Sequence, residues 1–383
     1  MSSGARLALA YTLLFGWVGV YLPYFPGWLG ARGLTGTQIG VLLGVVPWFR
    51  VALNPALGQV ADRHGRAWRM VLGLALTCAL GLVLYARADA FPAYLLASSL
   101  VAAGFAPLAS LTDGIAVREA REGRMDYARV RAAGSMAFIV AVALVGAGVK
   151  RDGYEFVPAL TVWMMLGIAL TATVLPKPAP RRADGGPPPA DARALLARPL
   201  VRRFLVGSAL VQASHAVVYG FGTLHWERAG LGQDVIGQLW AVGVVVEVVV
   251  FLLGGPLADR VGPARLMMIA GIGGVLRWSV LACTTDLTLL FAAQSLHALS
   301  FACLHLGALE LIRRRIPEQH TATGLYTAAG PGVGMGLATP LAGLLFDAFR
   351  GGAFWGAAVL SGMGALVLAT IVPSRARDAA TAE

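Results

Sequence analysis

Charged and titratable side chains stand inside long apolar stretches of this sequence. Asp113 and Arg131 do so, as do Arg50, Glu247, Arg277, His215 and His297. Placing a charge at the middle of a bilayer costs about 2.5–3.5 kcal/mol, so each of these residues marks a candidate site. The chemistry open to them is narrow. A guanidinium presents a planar fork of N–H donors that suits a carboxylate. A carboxylate in a low-dielectric setting favours its neutral form, while a nearby arginine favours the charged form, so it can take up and release a proton as its surroundings change. Imidazole titrates near neutrality unaided. Phe138 follows Arg131 by seven residues, two helical turns along one face. His215, Tyr219, Glu247, Arg277 and His297 make a polar set in the second half. Plainer roles stand beside these. Asp113 and Arg131 could be a structural ion pair between neighbouring helices. Arg50 could lock one state through an ion pair or a carbonyl contact. His215 and His297 could be hydrogen-bonded cavity histidines. His305 and Glu310, lower on the run that holds His297, are weaker candidates, and Glu310 could simply pair with Arg313 or Arg314.

Long apolar helices must position these groups. The chain has 383 residues, 57% hydrophobic and 13% charged, against about 25% charged in a soluble domain. Apolar runs of the roughly 20 residues needed to span a membrane recur along its whole length. Twelve are predicted, at about 7–29, 37–60, 69–87, 91–117, 129–149, 155–175, 200–224, 234–257, 265–284, 287–312, 322–347 and 352–372. The first is too long for a cleavable signal peptide and lacks a small-residue cleavage site. Residues 176–199, PKPAPRRADGGPPPADARALLARP, have no apolar face, and their Pro and Gly argue against a stable helix. This segment is the expected linker between six-helix bundles at 1–175 and 200–383. Cys78, Cys283 and Cys303 lie in apolar runs without pairing or metal spacing and read as packing residues. No metal or cofactor is expected.

The net charge of +11 invites a nucleic-acid partner, but its distribution rejects one. With twelve alternating helices, 22 of the 31 Lys and Arg fall on the side of both termini. Arg32, Arg87, Lys150, Arg151, Arg228 and Arg350 fall on the other side, and Arg50, Arg131 and Arg277 inside helices. That asymmetry places both termini and the linker in the cytoplasm.

One phrase is written twice. Gly58, Asp62, Arg63 and Gly65 of GQVADRHGR recur as Gly255, Asp259, Arg260 and Gly262 of GGPLADRVG, each 197 residues on. Gly33-Leu34 and Ile39-Gly40 return as Gly230-Leu231 and Ile236-Gly237, and Arg50 falls opposite Glu247. Two homologous halves in a membrane are the architecture of a secondary transporter, with the site between them near the midplane. In the phrase itself, Gly58 permits close helix contact, Asp62 can cap or pair near a helix end, Arg63 and Arg66 stay in the aqueous interface, and Gly65 permits a tight turn. The second copy has Pro263 in place of Arg66. Gly330-Pro331-Gly332 marks a bent or flexible gate in the eleventh run.

The duplicated phrase resembles the loop signature of the major facilitator superfamily. YLPYFPGWL at 21–29 is similar to the first helix of the oligosaccharide–proton symporters, the lactose permease group. PLASLTD with YARVRAAGSMAF, and QASHAVVYGF with GVVVEVVVF, resemble the 3-phenylpropionate transporter branch more closely. The resemblance implies an all-α integral membrane protein with twelve transmembrane helices in two pseudo-symmetric six-helix bundles. It also implies a monomeric, non-enzymatic secondary transporter in a bacterial inner (plasma) membrane, working by alternating access. Its partners are then a small-molecule substrate, protons and the lipid bilayer. By the same resemblance Asp113 and Arg131 fall on a substrate-binding carboxylate–arginine pair, with Asp for Glu, and Phe138 on a substrate-facing aromatic position, with Phe for Trp. Arg277 and His297 fall on a proton-coupling cluster, and Glu247 one turn from its helix-8 carboxylate. Ser300 stands where that group has a further carboxylate, which leaves Glu247 or His297 to carry a proton. Arg50, Asp113, Arg131, Phe138, His215 and Tyr219 are thus the expected substrate contacts, and Glu247, Arg277 and His297 the coupling residues. An aromatic or other small organic acid is the expected substrate. A sugar or nucleoside symporter, an exporter of amphipathic compounds and a transport-silent sensor are the alternatives.

Cysteines placed at positions 183 and 190 should resist membrane-impermeant thiol reagents in intact cells. Labelling of either from outside would overturn the topology.

Overall fold

The computed structural model describes residues 1–177 and 191–372, without the Asp62 side chain. The described residues form helices and no strand. The first half holds α1 (Ser3–Ala31), α2 (Gly36–His64), α3 (Ala67–Arg87), α4 (Phe91–Arg121), α5 (Tyr127–Asp152) and α6 (Val157–Val174). The second half holds α7 (Pro199–Arg228, interrupted at Ser214 and His215), α8 (Gln233–Leu252), α9 (Pro263–Cys283) and α10 (Leu287–Arg315). Then come α11, made of Gln319–Thr327, Ala328–Gly334 and Met335–Phe349 in succession, and α12 (Ala353–Ala369). Eleven helical stretches among the described residues are long and apolar enough to cross a membrane, and the last, Gln319–Ala369, is 51 residues long. One crossing takes about 20 residues. A short turn at Arg350–Gly352, with Arg350 at φ 53, divides that stretch between α11 and α12. Twelve crossings result.

Local chemistry sets the helix ends. Thr35 and Gln38 form a reciprocal capping box at the start of α2. Asp126 caps α5 through the Ala128 and Arg129 amides, and Asp286 caps α10 through Leu289. Gly65 closes α2 in the left-handed conformation at φ 63, where a side chain would be strained.

The expected linker falls largely outside the described residues, as do positions 183 and 190. Its end departs from expectation, because Ala192–Ala197 is helical. Asp191 accepts from the Arg193 amide, and Leu195 is buried with Val201, Phe204 and Leu311. A cap and one buried leucine outweigh a composition that argues for coil.

The described chain divides into two compact units. In one, residues up to 177 are joined by Val218–Ala241 and Thr339–Asp347; the other holds 191–217, Val242–Ala338 and 348–372. In the first unit α1 packs on α5 and α6, α3 on α4 and α6, and α2 on α4. The same scheme appears six helices on in the second unit, where α7 packs on α11 and α12, and α9 on α10 and α12.

Two backbone crossings in the first unit share the repeat offset of 197. An added Cβ would come 2.7 Å from the Thr339 oxygen at Gly40 and 2.5 Å from the Val142 oxygen at Gly237. It would come 2.5 Å from the Gln233 oxygen at Gly146 and closer still to the Gly36 oxygen at Gly343. Thus α2 meets α11, and α8 meets α5, through equivalent glycines. Polar contacts flank each crossing. Asp347 accepts from the Gly36 and Thr37 amides and the Thr37 hydroxyl, each at 2.7 Å, at the start of α2. Lys150 pairs with Asp234 at 2.8 Å. Beside the second pair, Tyr154 donates to Glu227 at 3.1 Å and accepts from Gln233 at 2.6 Å. Burial, then the Glu227 carboxylate, pushes the Tyr154 phenol above its ordinary value, which keeps it a neutral donor.

Gly146→Leu should destabilise the purified protein by about 1–3 kcal/mol through overpacking, read as a lower melting temperature in detergent. Gly73, with open space around it, is the control: Gly73→Ala should be neutral or add about 0.4–1 kcal/mol. A Gly146→Leu protein as stable as its parent would show that α5 and α8 do not touch here.

Candidate functional sites

In the first unit Asp113 of α4 is gripped by two phenols. Tyr11 donates to Oδ1 in a short hydrogen bond, and Tyr127 donates to the same oxygen at 2.8 Å. The ion pair with Arg131 considered above does not form among the described residues. Instead the Arg131 guanidinium lies 4.0 Å from the centroid of the Phe15 ring, and its Nη1 is buried without a hydrogen-bond partner. Local sequence explains the placement. Tyr11 and Phe15 are one turn apart on α1 and stack at 5.8 Å. Gly134 leaves room for Phe15, since a Cβ there would come 2.7 Å from the ring. Tyr127 and Arg131 are one turn apart on α5. Phe138 is buried where α1 and α5 close through Gly19. Arg50 is half-buried on α2 and makes no hydrogen bond or ion pair among the described residues. Tyr219 stacks on Trp240 at 6.2 Å, and Trp240 donates to Thr223. This unit therefore carries a carboxylate satisfied by neutral donors and, next to it, a cation with a donor still to be matched. Such a guanidinium can accept a carboxylate in a bidentate contact while Phe15 covers its face.

The second unit holds a denser network. Arg277 of α9 donates to His297 Nδ1 at 2.8 Å, to Ser300 at 3.1 Å and to Gln294 at 2.8 Å, and lies over the Trp278 ring. His297 Nε2 meets Glu247 at 3.2 Å. Guanidinium has donors only, so Nδ1 of His297 must present its lone pair to Arg277. The ring proton then sits on Nε2 and is donated to Glu247. Protonating His297 further would break the bond to Arg277 and set two cations together. His215 is fully buried. Its Nδ1 donates to the Val211 carbonyl at 3.1 Å, and its Nε2 accepts from Ser300 at 3.4 Å. Trp278 donates to Ser214 at the interruption of α7.

The loop phrase is mostly exposed. Arg63, Arg66 and Arg260 face solvent, Gly58 has open space, and Asp62 lies outside the described side chains. Asp259 accepts from Arg314 at 2.5 Å. Glu310 pairs with both Arg313 and Arg314.

Tyr11, Phe15, Tyr127 and Gln294 were not singled out from the sequence. One signal was available: each stands three or four residues from another member of its cluster, one helical turn away.

Residues 5–357 match the MFS_1 like family. The chain belongs to that family. It is a multi-pass membrane transporter of the major facilitator superfamily, as the duplicated phrase implied. It is 34% identical over 388 residues, 98% of this chain and 99% of the relative, to a probable 3-phenylpropionic acid transporter of Escherichia coli strain K12. It is 29% identical over 357 residues to the maltose permease of Geobacillus stearothermophilus, covering 91% of this chain and 89% of that one. The crystal structure of the nucleoside transporter NupG superposes with a TM-score of 0.84 at 18% identity, covering 97% of this chain and 98% of that one, which shows the fold. Its relatives are transporters, and its cargo is accordingly a small molecule.

Proposed function

We propose that this transporter takes up a small aromatic carboxylate together with protons, by alternating access of two homologous bundles, 1–175 and 200–383, joined through 176–199. The observation that carries the reading is the buried, unmatched Nη1 of Arg131 beside the Phe15 ring and the tyrosine-bound Asp113. An anion answers the guanidinium, and a flat apolar body suits the aromatic wall of Tyr11, Phe15 and Phe138. Arg50 is a second cation open to the same class of ligand. The name of the 34% identical relative points to the same chemistry. Glu247 is the proton carrier in this reading, and Arg277 and His297 fix its setting. The distribution of basic residues supports cytoplasmic termini and linker in a bacterial inner membrane, with the monomer as the working unit.

Proteoliposomes with an imposed pH gradient, acid outside, should accumulate labelled 3-phenylpropionate, and unlabelled maltose should not compete. Arg131→Lys keeps the charge and loses the fork, so affinity should fall by about 1–2 kcal/mol, roughly five- to thirty-fold. Affinity unchanged in Arg131→Lys would place the ligand elsewhere, with Arg50 next to be examined.

Glu247→Gln should abolish uphill accumulation while keeping counterflow exchange, which needs no net protonation. Accumulation at the parent level in that variant would remove Glu247 from coupling, and the same split in His297→Gln alone would transfer the role to His297.

A further inference from the structure

Below the Arg277 network, α10 carries a second titratable pair that the proposed function does not use. His305 Nδ1 makes a short hydrogen bond with the Tyr326 hydroxyl of α11. Tyr326 is buried and stacks on Phe204 of α7 at 5.7 Å. His305 is half-buried. A ladder of rings joins it to His297: His297 stacks on Phe301 at 5.0 Å, and Phe301 meets His305 edge-on at 4.6 Å. The Glu247 carboxylate meets His297 at the head of that ladder.

The backbone explains this alignment. On a regular α-helix, residues eight apart diverge by about 80°, since each residue turns about 100°. His297 and His305 would then point to different neighbours. Between them Ala298–Cys303 is a π-helix. Its wider i→i+5 winding turns less per residue and brings His305 back towards the face of His297. Such insertions cost regular hydrogen bonding and recur at functional sites.

We infer that His305 and Tyr326 form a second proton station, through which Glu247 exchanges its proton with the side of the membrane where α10 ends in Arg313, Arg314 and Arg315. The inference rests on the proposed role of Glu247. With His305 Nδ1–H donated to the Tyr326 oxygen, Nε2 keeps its lone pair available to take a proton. The Glu247 carboxyl O–H bond breaks, its proton passes through water to His305 Nε2, where an N–H bond forms, and a carboxylate and an imidazolium remain. Water then takes the proton from the imidazolium and restores the neutral ring. Among the described residues, the titratable groups around His305 are Tyr326 of α11, in contact with it, His297 on its own helix and, beyond His297, Glu247 of α8; Phe204 of α7 stands behind Tyr326. Arg277 of α9 is held on His297, which keeps His297 from competing for the proton. The carboxylate left on Glu247 stabilises the imidazolium for the moment of transfer.

Full-length protein in proteoliposomes, with 3-phenylpropionate as the probe, tests the relay. His305→Gln should slow pH-driven accumulation about a hundredfold or more, the low end of what a positioned proton-transfer group contributes, while exchange stays within about twofold of the parent. Tyr326→Phe keeps the stack on Phe204 and removes only the hydroxyl. It should show the same split in smaller measure, and it stands as the test if His305→Gln does not fold. Accumulation at the parent rate in both variants, or equal loss of accumulation and exchange in Tyr326→Phe, would overturn the relay alone. A parent protein that neither accumulates nor exchanges the probe would overturn the proposed function, and the relay with it.

Discussion

Backbone-to-backbone approach at glycine is the constraint on which this structure depends. Lipid supplies no hydrophobic force between helices, so association rests on close packing and on polar contacts kept from lipid. At Gly40, Gly146, Gly237 and Gly343 the space for a side chain is taken by a facing carbonyl or by the next helix. Each crossing needs two glycines, one on each partner, so the duplication had to keep all four. The offset of 197 seen in Ile39-Gly40 and Ile236-Gly237 therefore records a contact rather than a loop. The partners of those glycines, at 142 and 339, are also 197 apart.

Charge diverges where geometry is kept. Lys150 and Asp347 occupy equivalent places beside the two crossings, and so do Asp234 and Thr37. In one copy the start of α8 carries its own carboxylate, which favours the positive end of that helix, and a lysine answers it. In the other the start of α2 has no acid, and Asp347 supplies one from α11. Both arrangements satisfy a helix N-terminus, with the anion drawn from opposite partners. Arg50 and Glu247 divide the same way inside the membrane, with a cation in the first half and a carboxylate in the second. Duplication built a symmetric frame, and a few substitutions gave each half its own chemistry.

The parts that were legible beforehand are those with a long period. Twelve apolar runs and the repeat offset lead directly to the helix order, and the charged residues within those runs led to Asp113, Arg131, Glu247, Arg277 and His297. The partners of those residues were not legible. Tyr11 and Tyr127 count as apolar in any hydropathy reading, and only the packing of α1 and α5 on each other brings both to Asp113. Arg131 looked like the natural partner of Asp113 because the two signs are adjacent in sequence. In the fold two phenols satisfy the carboxylate first, and Phe15 takes the face of the guanidinium. The helix at Ala192–Ala197 was hidden by a composition dominated by its prolines, although Asp191 and Leu195 were enough to form one turn and a half.

Among the described residues, α7, α10 and α11 each leave regular α geometry, each with its own cause. Ser214 and His215 interrupt α7, where Ser214 accepts from Trp278. Pro331 lacks an amide hydrogen and its ring crowds the carbonyl four residues back, and α11 widens into a π-helix over Ala328–Gly334 around it. The α10 insertion at Ala298–Cys303 contains no proline or glycine, so residue type does not force it. Its compensation is found in side chains: Ser300 within it accepts from Arg277 and bonds to His215, and the histidines on either side gain Glu247 and Tyr326 as partners. A straight helix would satisfy its own backbone better and would separate those partners. The irregular winding of α10 is thus held by the polar network it assembles, which ties the backbone of this helix to the protonation state of the groups around it.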